Sequence, residues 1–441
     1  MEWYNGNKIG EDLAFVEDSA RAEYMIKEKW PDHLSKDYSV RMKFDIRPET
    51  SGLHHLSIIT TGSAKVYIDD ELVHTREQET DLIAESFYFF KSKIEQRFDY
   101  QMTGGQPYSI VVDIWGTQQD VLHSKPLYGH LFQGTTLRFH EFIDVPARLE
   151  DSRQAAAKAD YAVVCVGTTN EIESEGFDRD HMDFQAGEYQ LIETVLKANP
   201  KTIVVNFSGS PMNLTPFVNN VPAILQAWFP GQECGHALAR VLSGRVNPSG
   251  RLPISWPRSV EDNPSFGNFP VDENLLLRYE EGLNVGYRYY DRDTAPTPLF
   301  PFGYGLSYTT FKVSDVKFEG PTEINSSEDT MQVSCIVRNT GHVAGKVAVQ
   351  FYVEYPDITI GRKRPIKELK AFAKTAILQP GATKQVSVTL DKYAVSFYDA
   401  KERCWRAVPG LYNVVAGQSS VNIEGSVEFR VGGLGFTWNG L

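Results

Sequence analysis

Tyr161-Ala162-Val163-Val164-Cys165-Val166-Gly167, followed by Thr168-Thr169-Asn170 and then Glu171-Ile172-Glu173-Ser174-Glu175-Gly176-Phe177-Asp178-Arg179, is the stretch on which the fold turns. The apolar run bounded by turn residues predicts a buried strand of a parallel sheet, with Gly167 opening its exit loop. Ligands of open α/β sheets bind just beyond such strand ends. Three acidic residues, a glycine and an Asp-Arg pair crowd into the nine positions of the loop. A carboxyl held there and partly desolvated has its pKa raised toward neutrality and serves as a general acid. An acidic, solvated surface loop is the plainer reading of the same residues, and the local sequence leaves both open.

Outward from this strand, the pattern between Leu149 and Pro257 alternates helix and strand, as βα units require. Asp151 to Ala159 is rich in helix formers. Gly187 to Ala198 sets Leu191, Ile192, Val195 and Leu196 on one helical face, and Asn199-Pro200 ends it. Lys201 to Phe207 and Ala223 to Ala227 read as further strands, and Gly235 to Leu242 as a helix closed near Ser243-Gly244. The result is a short part of a doubly wound sheet.

Before Pro146 the period is two, as in Met42-Lys43-Phe44-Asp45-Ile46-Arg47 and Ala64-Lys65-Val66-Tyr67-Ile68-Asp69, which predicts an antiparallel β-sandwich. Asp69-Asp70 fits a solvated turn or a calcium ligand pair, and Phe87-Tyr88-Phe89-Phe90 fits a core strand or a sugar-stacking surface. Arg258 to Pro301 is irregular and must be pinned by packing, for which its tyrosines supply apolar area and hydroxyls. From Tyr308 alternation returns, most cleanly in Lys346 to Tyr355, and predicts an immunoglobulin-like sandwich.

Four stretches in order resemble glycoside hydrolase family 3, the β-glucosidase family. They are Glu175-Gly176-Phe177-Asp178-Arg179, Pro222 to Glu233, Asn247-Pro248-Ser249-Gly250-Arg251-Leu252-Pro253-Ile254-Ser255-Trp256-Pro257, and Pro298 to Phe311. Tyr279 to Asp291 is similar to the family as well. Arg47 to His54 with Lys65 to Val73 resembles the protective-antigen-type (PA14-like) β-sandwich, a module inserted in some family 3 enzymes, where it binds sugars or walls off the active site. The resemblance implies a multidomain α/β plus all-β chain. Its domains are a PA14-like β-sandwich over 1–146, the C-terminal part of an α/β sandwich domain over 147–257, a linker over 258–307 and a fibronectin type III-like domain over 308–441.

By the same resemblance Glu175 is the acid/base, with Glu173 as the alternative, and Gly176, Asp178 and Arg179 support the loop. Gly176 allows a tight turn, and Asp178 with Arg179 braces it as an ion pair. A retaining glycosidase needs a second carboxyl as nucleophile. In the family that residue is an aspartate of an N-terminal (β/α)8 barrel, for which this chain has neither the length before Leu149 nor the repeats. The expected partners are a β-glucoside and a barrel-bearing chain or fragment, with a homo-oligomer of the complete enzyme left open. A non-catalytic sugar-binding or adhesion protein that kept the two sandwiches is the competing reading.

Composition narrows the remaining classes. A length of 441 residues allows about three domains. The net charge of -13 gives no basic footprint for nucleic acid and no attraction to anionic membranes. The basic run Arg362 to Lys367 reads as solvated surface within an acidic chain. Cys165, Cys234, Cys335 and Cys404 lie far apart, without metal or redox spacing, and read as free thiols. No cofactor or metal is expected. The sequons at Asn206, Asn213 and Asn325 decide nothing, because Asn206 follows an apolar run and reads as a buried strand end. The opening residues do not read as a signal peptide, and a chain beginning inside a longer protein would have lost one, so cytoplasmic and secreted locations both stay open.

Overall fold

The computed structural model of the protein describes residues 1–26, 30–80, 87, 94–118, 133–175, 177–269, 271–274, 276–356 and 364–440. The chain divides into two compact units, one of Met1–Asp180, Phe184–Gly209 and Asn220–Gln226, the other of His181–Asp183, Ser210–Asn219 and Ala227–Leu441.

The first unit opens with ten strands: β1 (Glu2–Asn5), β2 (Leu13–Val16), β3 (Glu23–Ile26), β4 (Tyr38–Ile46), β5 (Gly52–Thr60), β6 (Ser63–Ile68), β7 (Glu71–Arg76), β8 (Glu95–Met102), β9 (Tyr108–Trp115) and β10 (Gln133–His140). They form a six-stranded sheet, β2-β1-β4-β9-β6-β7, and a four-stranded sheet, β3-β10-β5-β8, whose described ladders are antiparallel. The expected alternation holds in β6, where Ala64, Val66 and Ile68 are buried while Lys65 and Tyr67 are partly exposed. Those residues join Val40, Ile58, Ile110, Val112 and Ile114 in one core. Asp69 and Asp70 make the β6–β7 turn with φ of 47° and 66°, the left-handed pair that a type I′ hairpin requires, and Asp69 accepts the Ser109 amide at 2.8 Å. Phe87 is fully buried with Ile59 and Ile94, as a core residue; Tyr88, Phe89 and Phe90 lie outside the described residues.

Helix α1 (Val145–Lys158) follows. It starts well before Asp151 and runs across the 146/147 boundary expected from sequence. Asp144 accepts the Ala147 amide at 3.0 Å and Pro146 occupies the first turn, where its missing N–H costs nothing. Three parallel strands, β11 (Ala162–Gly167), β12 (Thr202–Phe207) and β13 (Ala223–Gln226), pair in the order β11-β12-β13, with Val164 opposite Val204 and Val204 opposite Ile224. Helix α2 (Ala186–Ala198) lies against α1, β11 and β12 and buries Ile192 and Val195. The alternation in β11 is sharp: Ala162, Val164 and Val166 are buried, whereas Val163 and Cys165 are exposed. A strand with one open apolar face is unlike the doubly covered interior of a complete α/β sheet.

The second unit carries α3 (Cys234–Leu242), which has no buried residue, and the short α4 (Tyr287–Tyr290). Two of the sequence motifs meet here. Trp256 bridges Phe300, Leu252 donates its amide to Tyr304 at 2.8 Å, and the Asn247 carboxamide accepts from Ser307 Oγ and the Tyr308 amide, both at 2.8 Å. The irregular 258–307 segment is pinned as expected: buried Tyr287 stacks on Phe302 at 4.9 Å, and its hydroxyl accepts the Leu369 amide at 2.7 Å. Strands β14 (Phe311–Phe318), β15 (Glu323–Ile324), β16 (Met331–Asn339), β17 (Ala348–Glu354), β18 (Lys367–Lys374), β19 (Thr383–Leu390), β20 (Ser396–Asp399), β21 (Cys404–Ala407), β22 (Gly410–Gly417), β23 (Ile423–Val431) and β24 (Phe436–Trp438) build the rest, with a one-turn helix α5 (Lys392–Val395). A three-stranded sheet, β14-β16-β19, and a five-stranded sheet, β15-β23-β22-β17-β18, share a core that includes Val313, Val333, Val337, Val349, Phe351 and Val414. A small sheet, β20-β21-β24, completes the unit.

Candidate active site

At its end β11 runs so close to β12 that only glycine fits: a Cβ on Gly167 would lie 2.0 Å from the Phe207 carbonyl oxygen. The Thr168 amide continues the ladder to Phe207 at 2.9 Å, and Glu188 Oε1 accepts the Gly167 amide at 2.8 Å while its Oε2 accepts the Gln185 amide at 3.0 Å. Strand end and helix start are thereby fixed by one carboxylate. The neighbouring strand ends carry Asn206, Ser208 and Gln226, joined by Asn206 Nδ2 donating to Gln226 Oε1 at 2.6 Å and Gln226 Nε2 donating to the Ser208 carbonyl at 2.9 Å. The sequence reading did not single out this polar cluster. Its signal was a polar residue closing each apolar run.

From this floor rises the acidic loop, in which the three glutamates have three different situations. Glu171 forms an ion pair with Arg138 of β10. Glu173 is half-buried, and its Oε2 accepts the Thr168 hydroxyl at 2.7 Å and the Gly209 amide at 3.0 Å. Glu175 is exposed. The structure therefore brings Glu173 onto the sheet ends as an acceptor and leaves Glu175 turned to solvent. The partial desolvation expected of the acid is not met at Glu175, because no packed element of the described residues covers it. Gly176 lies outside the described residues. Arg179 is half-buried, which lowers its guanidinium pKa, and the charge of Glu173 opposes that shift. Asp178 is exposed, and the charge that opposes the shift at Arg179 is that of Glu173.

Chemically, the arrangement is a carboxyl presented to solvent at the C-terminal end of a parallel sheet, on a loop tied down at two points just before it. Among the described residues no group of three or more His, Cys, Asp or Glu is placed to hold a metal, and no helix is long and apolar enough to cross a membrane. None of the four cysteines is joined in a disulfide.

Residues 90–308, which contain this sheet, the loop and the paired motifs, match the glycosyl hydrolase family 3 C-terminal domain. The chain carries a family 3 C-terminal domain. Residues 347–420 match a fibronectin type III-like domain. The chain is 38% identical over 395 residues to a probable beta-glucosidase H of Aspergillus fumigatus, covering 88% of this chain and 46% of that protein. It is 37% identical over 398 residues to a probable beta-glucosidase K of Emericella nidulans, covering 90% of this chain and 45% of that one. The crystal structure of the Kluyveromyces marxianus beta-glucosidase in complex with glucose aligns with all of this chain and 50% of its own, at a TM-score of 0.84 and 31% identity. The chain thus spans about half the length of the relatives it matches, and its described residues include no eight-stranded parallel barrel.

Proposed function

We propose that this chain is the C-terminal part of a retaining β-glucosidase that removes terminal non-reducing β-D-glucosyl residues, and that Glu175 is its general acid/base. The observation that carries the assignment is the contrast within the loop. Glu171 and Glu173 are engaged by Arg138, Thr168 and Gly209, so neither carboxylate is available to a substrate without breaking those bonds. Glu175 stands exposed beyond the sheet, immediately before Gly176-Phe177-Asp178-Arg179. In this reading Glu175 protonates the departing glycosidic oxygen while a carboxylate outside the chain attacks the anomeric carbon; it then takes a proton from water as that water hydrolyses the glycosyl intermediate. The nucleophile is an aspartate of a barrel domain beyond residues 1–441, and that domain supplies the desolvating wall that Glu175 lacks here.

Within the same proposal, 1–146 is a protective-antigen-type module inserted in the family 3 domain, 147–257 the remainder of the α/β sandwich domain, 258–307 a linker and 308–441 the fibronectin type III-like domain. The two antiparallel sheets formed by β1 to β10, separate from the parallel sheet of β11 to β13, support a distinct β-module ahead of the α/β part.

The test is leaving-group dependence with anion rescue in the complete enzyme, this chain together with its barrel. Glu175→Ala should cut turnover of alkyl glucosides by about a hundredfold or more, a hundredfold being the lower bound of what acid/base groups contribute, and that of activated aryl glucosides far less. Added azide should restore turnover of the aryl substrate and give a glycosyl azide. Rescue of Glu173→Ala instead would move the assignment to Glu173.

A further inference from the structure

Arg138 sits on β10, opposite Ser57 of β5, which is in turn opposite Arg97 of β8. Its neighbour Leu137 is buried in the sandwich core and Phe139 packs against that core, so Arg138 belongs to the outer face of the four-stranded sheet. On that face Glu95 is held from several sides. Its Oε1 accepts Ser57 Oγ at 2.7 Å and lies 3.6 Å from Arg138 Nη1, and its Oε2 accepts Arg97 Nη2 at 2.8 Å. Burial works to raise the Glu95 carboxyl, but the hydrogen bonds from Ser57 and Arg97 and the charges of both arginines outweigh it and hold the group below the ordinary range. Glu95 is therefore a fixed anion that restricts where Arg138 points. The same Arg138 Nη1 makes the ion pair with Glu171.

The geometry points to Arg138 as a positioning residue for the acid/base loop: through Glu171 it ties the first sandwich to the base of the segment that carries Glu175. This inference rests on the assignment of Glu175 above. The sequence Arg97, Glu95, Arg138, Glu171 alternates in charge, so each member is neutralised by its neighbours. Four residues from Glu171 to Glu175 can span up to about 13 Å of extended chain, whereas a misplacement of about 1 Å at a reacting group already costs rate. Glu173 fixes the middle of the loop to its own sheet, and Arg138 fixes its start to a different one. Without the Arg138 guanidinium, only Arg97, which is bonded to Glu95 and feels the charge of Glu171, is left to offset the two carboxylates, and the remaining like-charge repulsion would push the loop away. Removing the arginine should thus be worse than removing the glutamate, an order that simple loss of one exposed ion pair does not give.

The experiment uses the complete enzyme and compares Arg138→Ala, Glu171→Ala and the double variant on an alkyl and an activated aryl β-glucoside, with melting temperature recorded for each. The expected result for Arg138→Ala is about a fivefold fall in kcat for the alkyl substrate, the scale of one exposed pair, with a smaller fall for the aryl substrate. Glu171→Ala should fall less, and the double variant should be no worse than Arg138→Ala. None should yield a glycosyl azide, because Glu175 remains. Lower melting temperatures with an unchanged alkyl-to-aryl ratio per folded molecule would overturn the inference and leave the pair a structural contact. Equal, additive losses in the two single variants would also overturn it. The two failures are separable: if Glu175→Ala shows no azide rescue, the acid/base assignment is wrong; if it does and the ratio is unmoved in Arg138→Ala, only the positioning role is.

Discussion

Glu173 and Glu175 differ by two positions, and the difference between them is a matter of what each oxygen touches. Glu173 holds the loop by accepting from Thr168 and Gly209 and by facing the charge of Arg179. Glu173→Ala should therefore lower alkyl-glucoside turnover about tenfold through misplacement of the loop, the scale on which removing a charge-accepting hydrogen-bond partner acts, and should give no glycosyl azide. Glu173→Gln, which keeps acceptor oxygen for the same donors, should lose less. Initial-rate kinetics with product analysis would check both, and azide product from the alanine variant would contradict the division of labour. The proposal of Glu175 came from the sequence because its motif is local, five consecutive residues. The anchors were not, because Gly209 lies 36 residues from Glu173 and Arg138 lies 33 from Glu171. Nothing in a local window says which of three glutamates will be held.

At the level of elements, strand β18 and helix α4 meet around a compact charged cluster. Glu368 faces Arg288 at 3.0 Å, Lys370 at 3.4 Å and Arg364 at 3.7 Å, and accepts the Tyr355 hydroxyl at 2.5 Å. Burial works to raise its carboxyl, but Lys370, the tyrosine hydrogen bond and the two arginines outweigh it, so the folded pKa lies below the ordinary value. A carboxylate lowered by folding adds stability above its unfolded pKa of roughly 4.3 and loses it as pH falls through the folded value. Glu368→Gln should flatten the acid limb of stability below about pH 4.3 and, by leaving three partly buried cations unneutralised, destabilise the sandwich by roughly 3 kcal/mol at neutral pH. Denaturant melts from pH 3 to 7 would show it; an unchanged acid limb would contradict the linkage. Periodicity found most elements here, since β6, α2 and β17 carry clean patterns. It missed the start of α1, because the signal was Asp144 and Pro146 rather than a run of helix formers. It also gave no hint that the Asn247–Pro257 and Pro298–Tyr308 stretches lie side by side, since pairing between motifs leaves no local trace.

For the whole molecule, the three-stranded parallel sheet is the part that asks for a partner. Among the described residues β11 ends the sheet order, and Tyr161 just before it and Val163 on it are exposed at 64% and 45%. An open strand edge with apolar side chains is a template for association. Produced without the rest of the enzyme, the chain should self-associate at micromolar concentration, and sedimentation velocity would report it; a single sharp monomer boundary would contradict an obligate partner. The central claim, that acid/base and nucleophile lie on different parts of the protein, has a more direct test. The complete enzyme is stalled with a 2-deoxy-2-fluoro-β-glucoside carrying a good leaving group, digested, and its glycosylated peptide located by mass spectrometry. The account predicts the sugar on a carboxylate outside residues 1–441, with Glu175 unlabelled; a sugar ester on Glu171, Glu173 or any other residue of this chain would contradict it.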